Sequence, residues 1–183
     1  MSETIAVYGG SFDPPHVAHT LVVAYVLATQ PVDRVLVVPA AEHPFGKRLS
    51  TFAHRVRMCE LAMQDLRRVE ISPIERELPA PSLTLHTLQA LSKRHPGAQL
   101  RLVIGSDLLA ETHAWHNFAR IEELAPPIIV ERQGHTRSGV DAPALPAVSS
   151  TQIRKRLRSG EHVAGLLAPA VAQYALDHAL YAG

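Results

Sequence analysis

The sequence is short of the features that mark several large classes of protein. It has one cysteine in 183 residues, so no internal disulfide can form. Cys59 lies in the apolar run Met58-Cys59-Glu60-Leu61-Ala62, where a small buried hydrophobe is expected rather than a nucleophile. Neither sign of charge dominates: 18 Lys and Arg against 17 Asp and Glu leave a formal charge of +1. A nucleic-acid binder that neutralises phosphates carries a larger basic surplus. No apolar run approaches the roughly 18 residues of a membrane span. The opening Met-Ser-Glu-Thr-Ile-Ala-Val holds an acid and lacks the basic n-region of a secretory signal. A cytoplasmic protein with no nucleic-acid or membrane partner is therefore expected. With 46% hydrophobic and 19% charged residues the composition is ordinary for a globular chain, and the length suits one domain over 1–183. Assembly into a homo-oligomer stays open.

Alternation is what the sequence has in abundance. Short apolar runs at 4–8, 34–39, 69–71, 99–104 and 127–131 read as strands. Helical spacing is expected over 17–29, 52–66 and 82–92, with two short helices from about residues 151 and 169 closing the chain. Strands built almost wholly of Val, Ile and Leu suit a parallel sheet covered on both faces, and the alternation predicts an open α/β sheet. Ligands of such sheets bind beyond the carboxyl ends of the strands. The residues with chemical character do cluster after the first, second, fourth and fifth strands. Residues 134–147, with Gly134, Ser138, Gly139, Pro143 and Pro146, read as a mobile surface loop or lid.

The densest segment is Gly9-Gly10-Ser11-Phe12-Asp13-Pro14-Pro15-His16-Val17-Ala18-His19. Two glycines after a buried strand let the backbone approach a ligand and leave N–H groups free for phosphate oxygens. His16 and His19 are spaced to share one face of a first helical turn, and with the helix N-terminus they make an anion site. It is neither a Walker loop nor a dinucleotide fingerprint. The string closely resembles the nucleotidyltransferase family marked by a His-x-Gly-His signature, here His16-Val17-Ala18-His19, with alanine in place of the glycine. The resemblance implies a Rossmann-like sheet of the nucleotidyltransferase type and an ATP site at Gly9, Gly10, Ser11, Phe12, His16 and His19. It also implies that the two histidines hold the ATP phosphates. Ala18 adds a methyl where the family's glycine lets the nucleotide come close. The expectation is an ATP shifted away from it, relieved by Ala18→Gly.

Val148-Ser149-Ser150-Thr151-Gln152-Ile153-Arg154 reads by itself as a helix N-cap with a solvated arginine one turn in. It resembles the Ile-Ser-Ser-Thr-x-Ile-Arg motif of the same family, in the right order along the chain. The resemblance implies that Ser149, Ser150 and Thr151 bind the triphosphate and that Arg154 pairs with its outer phosphates. The helix dipole and the guanidinium fork supply the attraction.

Other segments resemble the mononucleotide adenylyltransferases that make dinucleotide cofactors. Gly105-Ser106-Asp107, followed by Trp115, is similar to their Gly-x-Asp…Trp segment. That implies a ribose contact for Asp107 and a ring stacked on the pyridine for Trp115. Without the resemblance, Asp107 reads as a cap for Leu108–Glu111 and Trp115 as a core or edge aromatic. Ser82-Leu83-Thr84-Leu85-His86-Thr87-Leu88 resembles Ser-Tyr-Thr-x-x-Thr-Leu with leucine for tyrosine, and places Thr84 at the pyridine substituent. Val130-Glu131-Arg132-Gln133-Gly134 resembles Val-x-Arg-Pro-Gly, making Arg132 a partner for the mononucleotide phosphate rather than a solvated strand end. In the loop after the second strand Lys47 is the first choice of phosphate partner and Arg48 the second. Behind that loop Arg55 either orients it or lies on the surface.

The implied reaction transfers AMP from ATP to nicotinate or nicotinamide mononucleotide and releases pyrophosphate, with His16, His19, Lys47 and Arg154 as the catalytic set. Members of this layout mostly take the nicotinate form, whereas Gly46-Lys47-Arg48 is similar to the Gly-Lys-Lys of members that accept nicotinamide. Mg²⁺ would arrive on ATP, held by phosphates and water. No protein metal site is expected: His113 and His116 share ligand spacing, but no nearby Cys, Asp or Glu completes a set. Two other readings stay open, a phosphopantetheine adenylyltransferase and a nucleotide-binding protein with little catalysis.

Overall fold

The computed structural model describes residues 2–42, 49–81, 83–139 and 142–182. Five strands form one all-parallel sheet in the order β3-β2-β1-β4-β5: β1 Thr4–Gly10, β2 Arg34–Pro39, β3 Val69–Ile71, β4 Gln99–Gly105 and β5 Pro127–Val130. Among the described residues six α-helices accompany them: α1 Val17–Thr29, α2 Phe52–Met63, α3 Thr84–Arg94, α4 Phe118–Leu124, α5 Ser150–Ser159 and α6 Pro169–Asp177. The chain leaves β1 for β2 on one side and returns to β4 on the other, which puts the topological switch at β1.

The two faces of the sheet explain its unbroken apolar strands. Ala6, Tyr8, Val35, Val37 and Val103 pack with Val22, Val23, Val26, Cys59 and Met63 of α1 and α2. Their neighbours Ile5, Val7, Leu36, Leu100, Leu102 and Ile104 pack on the opposite face with Leu85, Leu88, Leu91 and Ile121 of α3 and α4. With a side-chain period of two and helices on both sides, the central positions of β1, β2 and β4 are mostly apolar, and charged residues such as Arg34 and Glu70 fall at strand starts or on the edge strand. Helix α3 has no side-chain cap, but it buries three leucines. At about 1.5–3 kcal/mol each, these outweigh the roughly 1 kcal/mol a cap supplies. A third cluster joins Met58 of α2 to Ile153, Leu167 and Val171, and so seats the C-terminal helices on α2.

Several boundaries differ from expectation for local reasons. Strand β1 runs on through Gly9 and Gly10, which pair with Val38 and Pro39, instead of stopping before them. Helix α2 ends at Met63, three residues early, where Leu66 N–H turns back to the Met63 carbonyl at 2.9 Å. Helix α4 was not expected; Asn117, with φ of 52°, caps it by accepting from Arg120 N–H at 3.3 Å. Ser106–Ala114 forms a 3₁₀ stretch with Asp107 inside it, so Asp107 is not a helix cap. The described part of residues 134–147 is tied to the end of β5 rather than free. Buried Glu131 binds both the backbone N–H and the guanidinium of Arg137, and Leu145 pairs with Glu131 and Gln133 at 2.8 and 2.9 Å.

Candidate active site

The carboxyl ends of β1, β4 and β5 converge with the N-termini of α1 and α5. Gly9 and Gly10 serve different ends. A Cβ on Gly9 would meet nothing within 4 Å, whereas one on Gly10 would lie 2.9 Å from the Phe12 ring. Gly10 therefore makes room for Phe12, and Gly9 is the glycine that leaves an open backbone surface. Phe12 has φ of 48° and a buried ring set edge-on to Tyr8 and His19, at centroid separations of 5.5 and 4.9 Å. Only its backbone, not its side chain, can meet a nucleotide, which narrows the role expected of it.

Helix α1 starts on His16, its N-cap residue. The rings of His16 and His19 stack with centroids 3.7 Å apart, and His16 N–H donates to His19 Nδ1 at 3.1 Å. Accepting at Nδ1 places the neutral ring's proton on Nε2, where it can be donated. Burial pushes the His16 pKa down to about 4, helped by the Arg132 charge. Burial pushes His19 well below the ordinary value as well, followed by repulsion from His16 and Arg132. At neutral pH both imidazoles are therefore uncharged donors. Nδ1 of His16 is buried without a hydrogen-bond partner among the described residues, an orphan that a bound polar group would satisfy.

The two distant motifs meet. Arg154 Nη1 donates to the Asp13 carbonyl at 2.6 Å, and Ser150 Oγ donates to the Pro14 carbonyl at 2.9 Å. Ser149 caps α5 by accepting from Gln152 N–H at 3.2 Å, and exposed Thr151 accepts from Arg154 Nη2 at 3.2 Å. Ser11, half-buried, gives its carbonyl to Arg55 Nη1 at 2.9 Å.

On the β4–β5 side Arg132 Nη1 faces Asp107 Oδ2 at 3.4 Å, and Arg132 N–H donates to Ser106 Oγ at 2.9 Å. Asp107 Oδ1 is buried without a partner among the described residues. A Cβ on Gly105 would collide with it and lie 3.0 Å from Arg132 Cδ, so Gly105 lets this pair sit against the strand end. Thr84 opens α3 and Trp115 follows the 3₁₀ stretch, half-buried edge-on to Phe118 at 5.9 Å. The His86 and His116 rings are 6.1 Å apart, which brings these two segments together. Among the described residues no hydrogen bond, ion pair or ring contact joins Thr84 or Trp115 to His16 or His19. Lys47 and Arg48 lie outside the described residues.

Ala18 is 2% exposed, so its methyl does not stand in an open cleft. The expected displacement of ATP loses its cause. Ala18→Gly should instead leave ATP saturation unchanged and lower stability by about 1 kcal/mol, the difference in helix propensity. Paired ATP saturation and melting curves decide between the two.

Sequence reasoning left one central residue undecided and passed over another. Arg55 is 1% exposed, and its guanidinium donates to the carbonyls of Ser50, Ser11 and Ala41 at 3.0, 2.9 and 3.1 Å. It orients the loop. Its position three and four residues before the core residues Met58 and Cys59 already put it on the buried face of α2. Asp13, equally buried, accepts from Ser50 N–H at 3.2 Å and from the Tyr181 hydroxyl at 2.6 Å.

An open parallel sheet whose switch point carries a glycine loop and uncharged imidazole donors defines a nucleotide-binding α/β enzyme. The cytidylyltransferase-like family is matched over residues 7–156, and the chain belongs to that family. It is 47% identical over 182 residues to a protein of Anaeromyxobacter dehalogenans (strain 2CP-C) named "Probable nicotinate-nucleotide adenylyltransferase", covering 98% of this chain and 97% of the relative. A protein of the same name from Myxococcus xanthus (strain DK1622) is 41% identical over 178 residues, covering 97% and 94%. The solved nicotinic acid mononucleotide adenylyltransferase of Plasmodium falciparum, complexed with NaAD, superimposes with a TM-score of 0.81 at 22% identity, covering 98% of this chain and 97% of that one. That likeness shows the Rossmann-like nucleotidyltransferase fold.

Proposed function

We propose that the protein transfers AMP from ATP to nicotinate mononucleotide, making deamido-NAD and pyrophosphate in NAD biosynthesis. A phosphate oxygen of the mononucleotide attacks the α-phosphorus of ATP. The bond from that phosphorus to the bridging oxygen breaks, and its electron pair leaves with pyrophosphate. No nucleophilic side chain is needed; the protein's task is to align two polyanions and stabilise charge as it builds. His16 and His19 donate to ATP phosphates, Arg154 pairs with the outer ones, and Arg132 with Asp107 takes the mononucleotide. Lys47 keeps its proposed phosphate role. Magnesium enters as part of the substrate MgATP, held by phosphates and water, and both oxygens of the loop carboxylate Asp13 are already bound by Ser50 and Tyr181.

The junction of Arg154 and Ser150 with Asp13 and Pro14 carries this reading most directly. It brings together segments more than 130 residues apart, which supports reading them as one phosphate site. The names of the relatives favour nicotinate over nicotinamide and over a pantetheine substrate. One domain over 1–183 and a cytoplasmic setting, which keeps the lone buried Cys59 reduced, complete the proposal. Pyrophosphate release from ATP with nicotinate mononucleotide, nicotinamide mononucleotide and phosphopantetheine as acceptors tests it. Turnover is expected with nicotinate mononucleotide foremost. Tight ATP binding with no turnover on any acceptor would mean a binding protein instead.

Trp115 gives an acceptor-side test. If its ring stacks on the pyridine, Trp115→Ala weakens mononucleotide binding by about 0.5–1.5 kcal/mol beyond the lost area and leaves ATP binding alone. As the only tryptophan it also reports directly. Emission that stays constant while nicotinate mononucleotide is titrated assigns Trp115 to packing on Phe118 alone.

A further inference from the structure

The glycine loop is held from outside by a residue at the far end of the chain. Tyr181 follows α6, and the turns that carry it are closed by Ala179 N–H to Leu176 O at 3.0 Å and Leu180 N–H to Ala175 O at 2.8 Å. Its backbone is left-handed, with φ of 69°. A non-glycine residue held there costs about 1–3 kcal/mol and persists only where its surroundings over-determine it. Two things fix it. The ring packs in the cluster of Met58, Ile153, Leu167 and Val171, and the hydroxyl donates to Asp13 Oδ1 at 2.6 Å across 168 residues.

Asp13 is 2% exposed, and its second oxygen takes Ser50 N–H, at the entry to α2. The carboxylate thus ties the glycine loop to the start of α2. A buried carboxylate is kept in one orientation only when both oxygens are bound, because an unpaired one pays its full desolvation cost. Tyr181 supplies the second bond. The other ties on the loop, from Arg55, Ser150 and Arg154, all end on backbone carbonyls. The Tyr181 hydroxyl, like Ser50 N–H, ends instead on the Asp13 side chain, and it is the described tie made to that carboxylate by another side chain.

We propose that Tyr181 is a positioning residue for nucleotide binding, its hydroxyl orienting the Asp13 carboxylate that locks the glycine loop against the start of α2. The proposal rests on the reading of that loop as the ATP-phosphate cradle. Because it acts through loop geometry, its effect falls on ATP and spares the mononucleotide.

The test is calorimetric titration of the full chain with MgATP and with nicotinate mononucleotide, beside melting curves. Tyr181→Phe keeps the ring and removes one oxygen. It is expected to weaken ATP binding about tenfold, the size of one charge-assisted hydrogen bond, with mononucleotide affinity unchanged. Val171→Ala is the control, since it thins the same cluster without touching the hydroxyl. It is expected to lower the melting point with ATP affinity intact. Parental ATP affinity in Tyr181→Phe overturns the proposal. So does an equal loss in Val171→Ala, which would reduce Tyr181 to packing. A parent that binds ATP but turns over no mononucleotide overturns the reaction and leaves this inference standing. A parent that binds no ATP overturns both.

Discussion

His19→Ala is expected to cut turnover by about a hundred- to a thousandfold at saturating ATP, the loss seen when one preorganised donor to a developing anion is removed. The side chain is half-buried between His16 and Phe12. Its removal should therefore cost a few degrees of melting temperature and leave the fold in place. A variant with most of the parental rate would take the histidine pair out of the chemistry. The same pair sets an acid limit. His16 titrates near 4 in the folded chain against 6.5 when free, and His19 is displaced in the same direction. Between those values the unfolded chain binds protons that the folded one refuses. The contribution of His16 to stability is complete above about pH 6.5 and is lost as pH falls toward 4, and that of His19 is lost in the same direction. Melting curves over that range should show the parent losing more stability than His19→Ala.

The second large effect belongs to Arg55. A buried guanidinium costs several kcal/mol in desolvation. Three carbonyl partners return about 1.5–3 kcal/mol each, and Asp13 adds attraction. Arg55→Met keeps most of the volume and strands three carbonyls in the loops after β1 and β2. A destabilisation of about 3 kcal/mol is expected, or about 6–12 °C in a chain of this size. ATP affinity should fall by more than tenfold, because both loops lose their common anchor. A melting point and an ATP titration like the parent's would show that the backbone holds these loops unaided.

The strands and the longer helices were legible because burial on both faces of a parallel sheet leaves an unmistakable apolar signature. Arg34–Pro39 and Val17–Thr29 fall where periodicity placed them. Ends were less legible. Leu66 keeps the spacing of α2 and packs on its core cluster, yet the helix has already turned. In the site, what could be read was what one segment spells out: the glycines, the two histidines, the serine cap of α5. The buried polar ties could not be read, because their meaning depends on partners far along the chain. Asp13 looks like any loop aspartate until Tyr181 reaches it. Arg55 looked optional, although its helical phase with Met58 and Cys59 carried the signal. Gly10 shows the same limit, since its purpose is room for Phe12, two residues on and folded back.

The sheet also has a bearing on how copies of this chain can meet. Its two outer strands are β3, three residues long, and β5, four residues long. Unpaired strand edges are templates for intermolecular pairing, and shortness, charge and cover are the ways proteins blunt them. Here β3 carries Glu70 at its centre, ion-paired with Arg34, and the chain beyond β5 is already partnered by Leu145. Neither flank offers the length of bare backbone that stacking of sheets into fibrils requires. Pairing of strands edge to edge is therefore a poor route for two copies of this chain to associate.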